Sequence, residues 1–209
     1  MRKLKLMLCV AVLSGCSKTV LVPVPPRVEL KDYPVIGVVE FDSNADAAIN
    51  QYATRQLQEH IQAAQPGTRF IELGRREAIL AAVGAKQLDV DAFRKIGSRY
   101  GVAAVFVGSI HYSDATTDVK LTDLTKLEGS VRSEMKGDAS SRLVETKTGA
   151  SVWGNSAWVR KQLGRVSVST EYGVSGSMSK ADPRHEMVPT LVYHLTQDFR
   201  PRSVRQAVK

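Results

Sequence analysis

Between Pro34 and Gly108 the hydrophobic period of the chain switches repeatedly, and each switch marks an element. Val35-Ile36-Gly37-Val38-Val39-Glu40-Phe41 is a β-branched run ended by Asp42-Ser43-Asn44, the pattern of a buried strand running into a turn. Ile49, Ala53, Leu57 and Ile61 then recur at every fourth position, with Tyr52 and Ala64 beside them and Gln, Arg and Glu on the other side. That spacing predicts an amphipathic helix, stopped at Pro66-Gly67. Arg69 to Leu73 reads as a second, short strand and Arg75 to Val83 as a helix with Ile79, Leu80 and Val83 inward. Asp89 can cap a third helix, Leu88 can pack onto Phe93, and Ile96 and Tyr100 continue the apolar face to a terminating Gly101. Ala103 to Gly108 is apolar at every position, as in a central strand covered on both faces. The order strand, helix, strand, helix, helix, strand predicts an α/β sandwich.

The second half is more polar. Arg142 to Glu145 and Ala150 to Val159 flank Thr146-Lys147-Thr148-Gly149, which suits an antiparallel hairpin with Trp153, Ala157 and Val159 on one face and Trp158 on the other. Asp182-Pro183 can begin a last helix with Met187, Leu191 and Leu195 inward, although Pro189 must kink it or delay its start. Arg200-Pro201 should stop that helix, and the basic end beyond is expected to be disordered. Two long polar stretches remain, Ser113 to Lys126 and Gly164 to Lys180, and structureless loops of that length are usually functional or flexible. Val166, Val168, Thr170, Tyr172 and Val174 do alternate with polar residues, as a half-exposed strand requires. Val119 and Leu121 alternate too, but Asp123, Lys126 and Glu128 interrupt that pattern.

The amino-terminal region adds a location. Met1-Arg-Lys-Leu-Lys5, an apolar run from Leu6 to Leu13 and then Leu13-Ser14-Gly15-Cys16 make a short secretory signal ending in a cysteine. This pattern resembles a bacterial lipoprotein signal, which implies removal of residues 1–15 and acylation of Cys16, with palmitate-type chains, as a membrane anchor. Ser17 stands where an Asp would resemble an inner-membrane retention signal, so the expected site is the periplasmic face of the outer membrane. Residues 16–33, with Pro23-Val24-Pro25-Pro26, read as the lipidated Cys and an extended polyproline-type tether; 34–200 as one α/β domain; and 201–209 as a basic tail. About 190 residues suffice for one well-buried domain. Of the two cysteines, Cys9 lies in the signal and Cys16 would be acylated, so the mature chain has no disulfide framework. The formal net charge of +8 falls by three, to +5, when Arg2, Lys3 and Lys5 are removed. In an exported protein so modest an excess favours lipid headgroups or cell-wall carboxylates over nucleic acid as acidic neighbours.

Several stretches together carry a family resemblance. The first strand, Arg69-Phe70-Ile71-Glu72-Leu73-Gly74-Arg75-Arg76-Glu77-Ala78-Ile79-Leu80, Ala92 through Ile96-Gly97, and Gly101-Val102-Ala103-Ala104-Val105-Phe106-Val107-Gly108-Ser109-Ile110 resemble a superfamily of bacterial envelope lipoproteins. Its members include the CsgG-like curli secretion lipoproteins, the LpoB-type activators of penicillin-binding proteins and proteins with a TolB amino-terminal-like domain. The Lys147-Thr148-Gly149 turn, the Trp153 strand and Asp198-Phe199 match more loosely. The resemblance implies a small mixed sheet flanked by helices, used for protein contacts. In CsgG-like members two extra hairpins combine in a ring into a transmembrane barrel, and here the candidates are residues 113–132 and 162–180.

Catalytic signatures are not apparent. The chain has no G-x-S-x-G, no G-x-x-x-x-G-K-[ST], no H-E-x-x-H and no Cys/His cluster. His60, His111, His185 and His194 are scattered, and Asp42, Asp46, Glu72 and Glu77 are explained by caps and surface helices. The reading is a non-enzymatic accessory protein with no cofactor and no metal, serving envelope assembly, secretion or cell-wall enzyme activation. Its expected partners are membrane lipid through Cys16 and an envelope protein, a cell-wall synthase or secretion component, with homo-oligomers among the candidates. The contact surface would be the helix face carrying Arg75, Arg76 and Glu77, or the long loops. The alternative is a CsgG-type oligomeric export channel, and an enzyme is the remote one.

Overall fold

The computed structural model describes residues 19–123, 128–169, 173–178 and 181–207. In chain order the elements are β1 (Thr19–Val24), β2 (Ile36–Val39), β3 (Asp42–Ser43), α1 (Ala47–Ala64), β4 (Phe70–Gly74), α2 (Arg76–Val83), α3 (Val90–Tyr100), β5 (Ala104–Tyr112), β6 (Thr116–Asp123), β7 (Glu128–Glu145), β8 (Ser151–Ser169), β9 (Gly173–Met178), α4 (Pro183–Leu195) and β10 (Arg202–Ala207), with a 3₁₀ turn at Thr196–Phe199. The main sheet runs β4-β2-β5-β7-β8-β9, with β3 beside β5 and β6 beside β7. β4, β2 and β5 are parallel, and the β5 to β9 side is antiparallel. The expected mixed sheet flanked by helices is therefore what the chain forms.

Alternation along the central strands builds two cores. Ile36, Val38, Phe106, Ile110, Ala139 and Leu143 face α1 and α4, where Leu57, Ile61, Leu191 and Leu195 meet them. Val39, Val105, Val107 and Val144 face α2 and α3 through Ile79, Phe93 and Ile96. The helix ends follow the residues that cap them. Asp46 and Asp89 accept from Ile49 and Ala92 N–H at the starts of α1 and α3. Gly101 ends α3 at φ 67°, a left-handed conformation that glycine adopts without penalty. Pro189 neither stops nor delays α4, which runs from Pro183 through it to Leu195.

Gly108 marks the tightest approach in the larger core. A Cβ there would stand 2.5 Å from Cε1 and Cζ of the buried Phe41 ring. Gly108→Ala is therefore expected to cost about 1–3 kcal/mol through overpacking, measured as a lower urea midpoint. An unchanged midpoint would mean that the ring has room to move.

Two expectations are corrected here. The segment read as a polyproline-type tether is a strand over Thr19–Val24, and the tail expected to be disordered is its partner, Arg202–Ala207. Pro23 is accommodated because β1 has only this one partner, and proline is tolerated in an edge strand. The long polar stretches are also strands within the described residues. The hairpin read from Arg142 to Val159 is the root of a longer pair, β7 with β8, which continues to Gly129 opposite Val168.

Candidate interaction surface

The helices cover only part of β7 and β8. Beyond Met135 and Lys161 the two strands run on together, with β6 added to the outside of β7 and β9 to the outside of β8. The result is a projecting four-stranded antiparallel apron in the order β6-β7-β8-β9. Residues 124–127, 170–172 and 179–180 of the two candidate barrel hairpins lie outside the described residues. The pairing register sorts its side chains into rows. One row is Val119, Val131, Val166 and Gly176; the next is Asp118, Arg132, Arg165 and Ser177. Because neighbouring rows point to opposite faces, the apron has a valine-rich face and a face of charges and hydroxyls, the latter extended by Lys120, Ser130, Ser167 and Ser175. Val119 is 60% exposed.

At the root of the apron the charged face carries Trp158, 62% exposed and opposite Asp138. Lys136 Nζ lies 5.9 Å and the Arg160 guanidinium 5.8 Å from its ring centroid, close enough for cation–π attraction. Lys136 also pairs with Asp138 at 2.7 Å, and Arg160 with Glu134 at 4.0 Å. An exposed tryptophan held by an arginine and a lysine is the kind of anchor that dominates protein interfaces. Alternation alone places Trp158 on the face opposite Trp153, Ala157 and Val159, as expected, and the structure shows that face to be exposed there. Lys136 and Arg160 come to it only through the β7–β8 register and next-but-one spacing, which hydrophobic periodicity does not reveal.

Farther along the same face, beside α2 and α3, Arg76, Lys86 and Arg142 with Ser109, Ser140 and Ser141 line a cleft of about 400 Å³. Arg76 pairs with Asp42 at 3.5 Å, and the Arg142 guanidinium lies 5.5 Å from the Phe93 ring centroid. Of the helix face proposed for contact, Arg76 borders this cleft, while Glu77 stands in the exposed first turn of α2.

Several titratable groups have structural roles. His60 Nδ1 lies 2.7 Å from Arg200 Nη2, so the guanidinium donates to a neutral imidazole; burial, then the arginine charge, holds its pKa below the usual histidine value. His185 stacks on Tyr52 at 4.2 Å, His194 Nδ1 bonds the Gln197 amide at 2.8 Å, and His111 is an exposed strand residue opposite Asp138. Burial, with the nearby Asp182 charge adding to it, pushes the Tyr112 hydroxyl up to about 12; it donates to Arg184 O. Asp46 is spent on its cap and Asp42 on Arg76. Among the described residues no three His, Cys, Asp or Glu side chains come together as metal ligands. Nor does any described helix have the length and apolarity to cross a membrane, a statement that leaves strands untouched. Cys16 and the signal lie outside the described residues.

No protein-family model and no curated protein matches the chain. Several solved structures resemble its fold. The PelC dodecamer from Paraburkholderia phytofirmans aligns over 88% of this chain and 99% of its own, at 11% identity and a TM-score of 0.41. Lipoprotein GNA1162 from Neisseria meningitidis aligns over 61% and 83%, at 18% identity and 0.37. The LpoB C-terminal domain from Salmonella enterica aligns over 65% and 84%, at 13% identity and 0.35.

Proposed function

We propose that this chain is a lipid-anchored protein of the bacterial envelope that binds another envelope protein and catalyses nothing itself. The anchor is an acylated Cys16 at the periplasmic face of the outer membrane, and the partner belongs to cell-wall synthesis or secretion. The observation that carries this reading is the arrangement along β8. At one end, Trp153 Nε1 donates to Asp198 Oδ2 at 3.2 Å, and Asp198 O accepts from Val28 N–H, so the path back to Cys16 leaves the body beside Trp153. At the other end stands the apron, with Trp158 between them. The end from which the path to Cys16 departs and the projecting surface are thus at opposite ends of one strand, an arrangement that suits holding out a contact surface away from the membrane.

A specific observation favours a second reading. The valine row beside the charged row is the dyad alternation that a barrel strand needs, and both hairpins lie side by side in one sheet, ready to join neighbours in a ring. Light scattering of the Cys16→Ala mature chain, purified without detergent, separates the two. The accessory reading expects a soluble monomer or small oligomer. A high-order ring that precipitates without detergent would replace it with the export channel.

A further inference from the structure

The two ends of the chain form a structure of their own. β1 and β10 pair from Thr19 opposite Ala207 to Val24 opposite Arg202, and neither pairs with the main sheet. An isolated two-stranded ribbon is marginal in water, because each strand has too few neighbours to bury its side chains. This ribbon is also built for burial. Alternation and register put Val20, Val22, Val24 and Val204 on one face, these valines 37–52% exposed, with Gln206 and Arg202 at its two ends. The opposite face carries Leu21, 63% exposed, with Pro23, Ser203 and Arg205. Arg202 and Arg27 stand at its root, both near Asp198 at 3.2 and 3.9 Å, so one carboxylate answers two of the three arginines.

What would cover this face follows from where the chain goes next. Cys16 precedes Thr19 by three residues, at most about 11 Å of extended chain. We infer that the ribbon lies on the lipid surface, its valines in the boundary between headgroups and acyl chains and Arg202, on the same face, at the anionic headgroups. This rests on the proposal that Cys16 is acylated. Apolar side chains flanked by arginine suit that boundary. The unpaired N–H and C=O groups along the ribbon's outer edges suit it as well, since water and headgroup phosphates remain available there, as they are not in the hydrocarbon. The carboxyl-terminal tail thereby acts with the amino-terminal tether as a second, non-covalent hold on the membrane.

The test uses the Cys16→Ala mature chain, which has no acyl group, with vesicles of phosphatidylglycerol and phosphatidylethanolamine, and with phosphatidylcholine for comparison. We expect at least tenfold stronger cosedimentation with the anionic vesicles and slower hydrogen exchange at residues 19–24 and 202–207. Val22→Asp with Val204→Asp should lower binding at least tenfold while exchange in α1 and α4 stays unchanged. Arg202→Gln, which leaves the valines in place, should reduce the preference for anionic lipid. Absence of vesicle binding by the parent, or unchanged binding by the double variant, overturns the inference. So does ribbon protection that rises with protein concentration without lipid, which would assign the face to a second copy. Incorporation of labelled palmitate into the wild-type chain tests the anchor separately. Acylation with an inert ribbon defeats only the ribbon inference, whereas a vesicle-bound ribbon without acylation defeats only the anchor.

Discussion

Phe106→Ala is expected to lower stability by about 3–5 kcal/mol. Phe106 is 1% exposed on β5, the strand that joins the parallel and antiparallel sides of the sheet. Its ring centroid lies 5.7 Å from that of Phe199, 5.9 Å from Trp153 and 6.2 Å from Phe70. These partners come from the last turn, β8 and β4, so one side chain ties together elements that span the whole fold. Aromatic walls collapse poorly onto a deleted ring, which places the loss toward the upper part of the range for large-to-small changes. For a domain of this size the melting temperature should fall by about 10–15 °C. Phe106→Leu, which refills most of the volume, should recover more than half of that. Thermal unfolding of the Cys16→Ala chain measures both, and a fall of only a few degrees for alanine would mean that the aromatic cluster is not tightly packed.

The first half of the fold could be read from the sequence because its signals are local. The every-fourth-residue spacing of Ile49, Ala53, Leu57 and Ile61 and the Asp89 and Gly101 caps each act within one or two helical turns. Phe106 and its neighbours were visible as a strand covered on both faces for the same reason. The apron was only half visible. Val166 and Val119 show the alternation, but the link between Met135 and Val131 crosses Glu134, Ser133 and Arg132, which carry little β propensity and gain their strand conformation from pairing with Gln162, Gly164 and Arg165. The ribbon was not visible. Its partners are separated by almost the whole chain, and Pro23-Val24-Pro25-Pro26 favours a polyproline conformation until Ser203 and Arg202 are brought opposite it. Of the candidate surface, the separation of Trp158 from the face of Trp153 is legible in the sequence, while its exposure and its two cations need the register.

Cys16→Ala is expected to move almost all of the protein from the membrane to the soluble fraction, because each buried CH₂ of the lost chains contributes about 0.8 kcal/mol, far more in sum than a short ribbon can supply. The proposed anchor would also limit what the apron can reach. From Cys16 to Val24 the chain spans at most about 28 Å, and it starts from a root beside Trp153. Thirteen residue steps along β8 separate Trp153 from Val166, about 43 Å of strand. An acylated chain therefore holds its apron well away from the anchoring bilayer unless the body lies down along it. The cysteine content makes this measurable: on the proposed processing Cys9 leaves with the signal and Cys16 carries the lipid, so Ser175→Cys would be the one free thiol of the mature protein. In cells with a permeabilised outer membrane that thiol should react with a water-soluble maleimide at the rate of an exposed cysteine, and Val119→Lys on the opposite face should leave protein level and location unchanged. If instead Cys16→Ala stays in the membrane, Ser175→Cys is protected tenfold or more and Val119→Lys abolishes assembly, at about 2–4 kcal/mol for each lysine placed in lipid, then the apron is a membrane barrel and the export channel becomes the function.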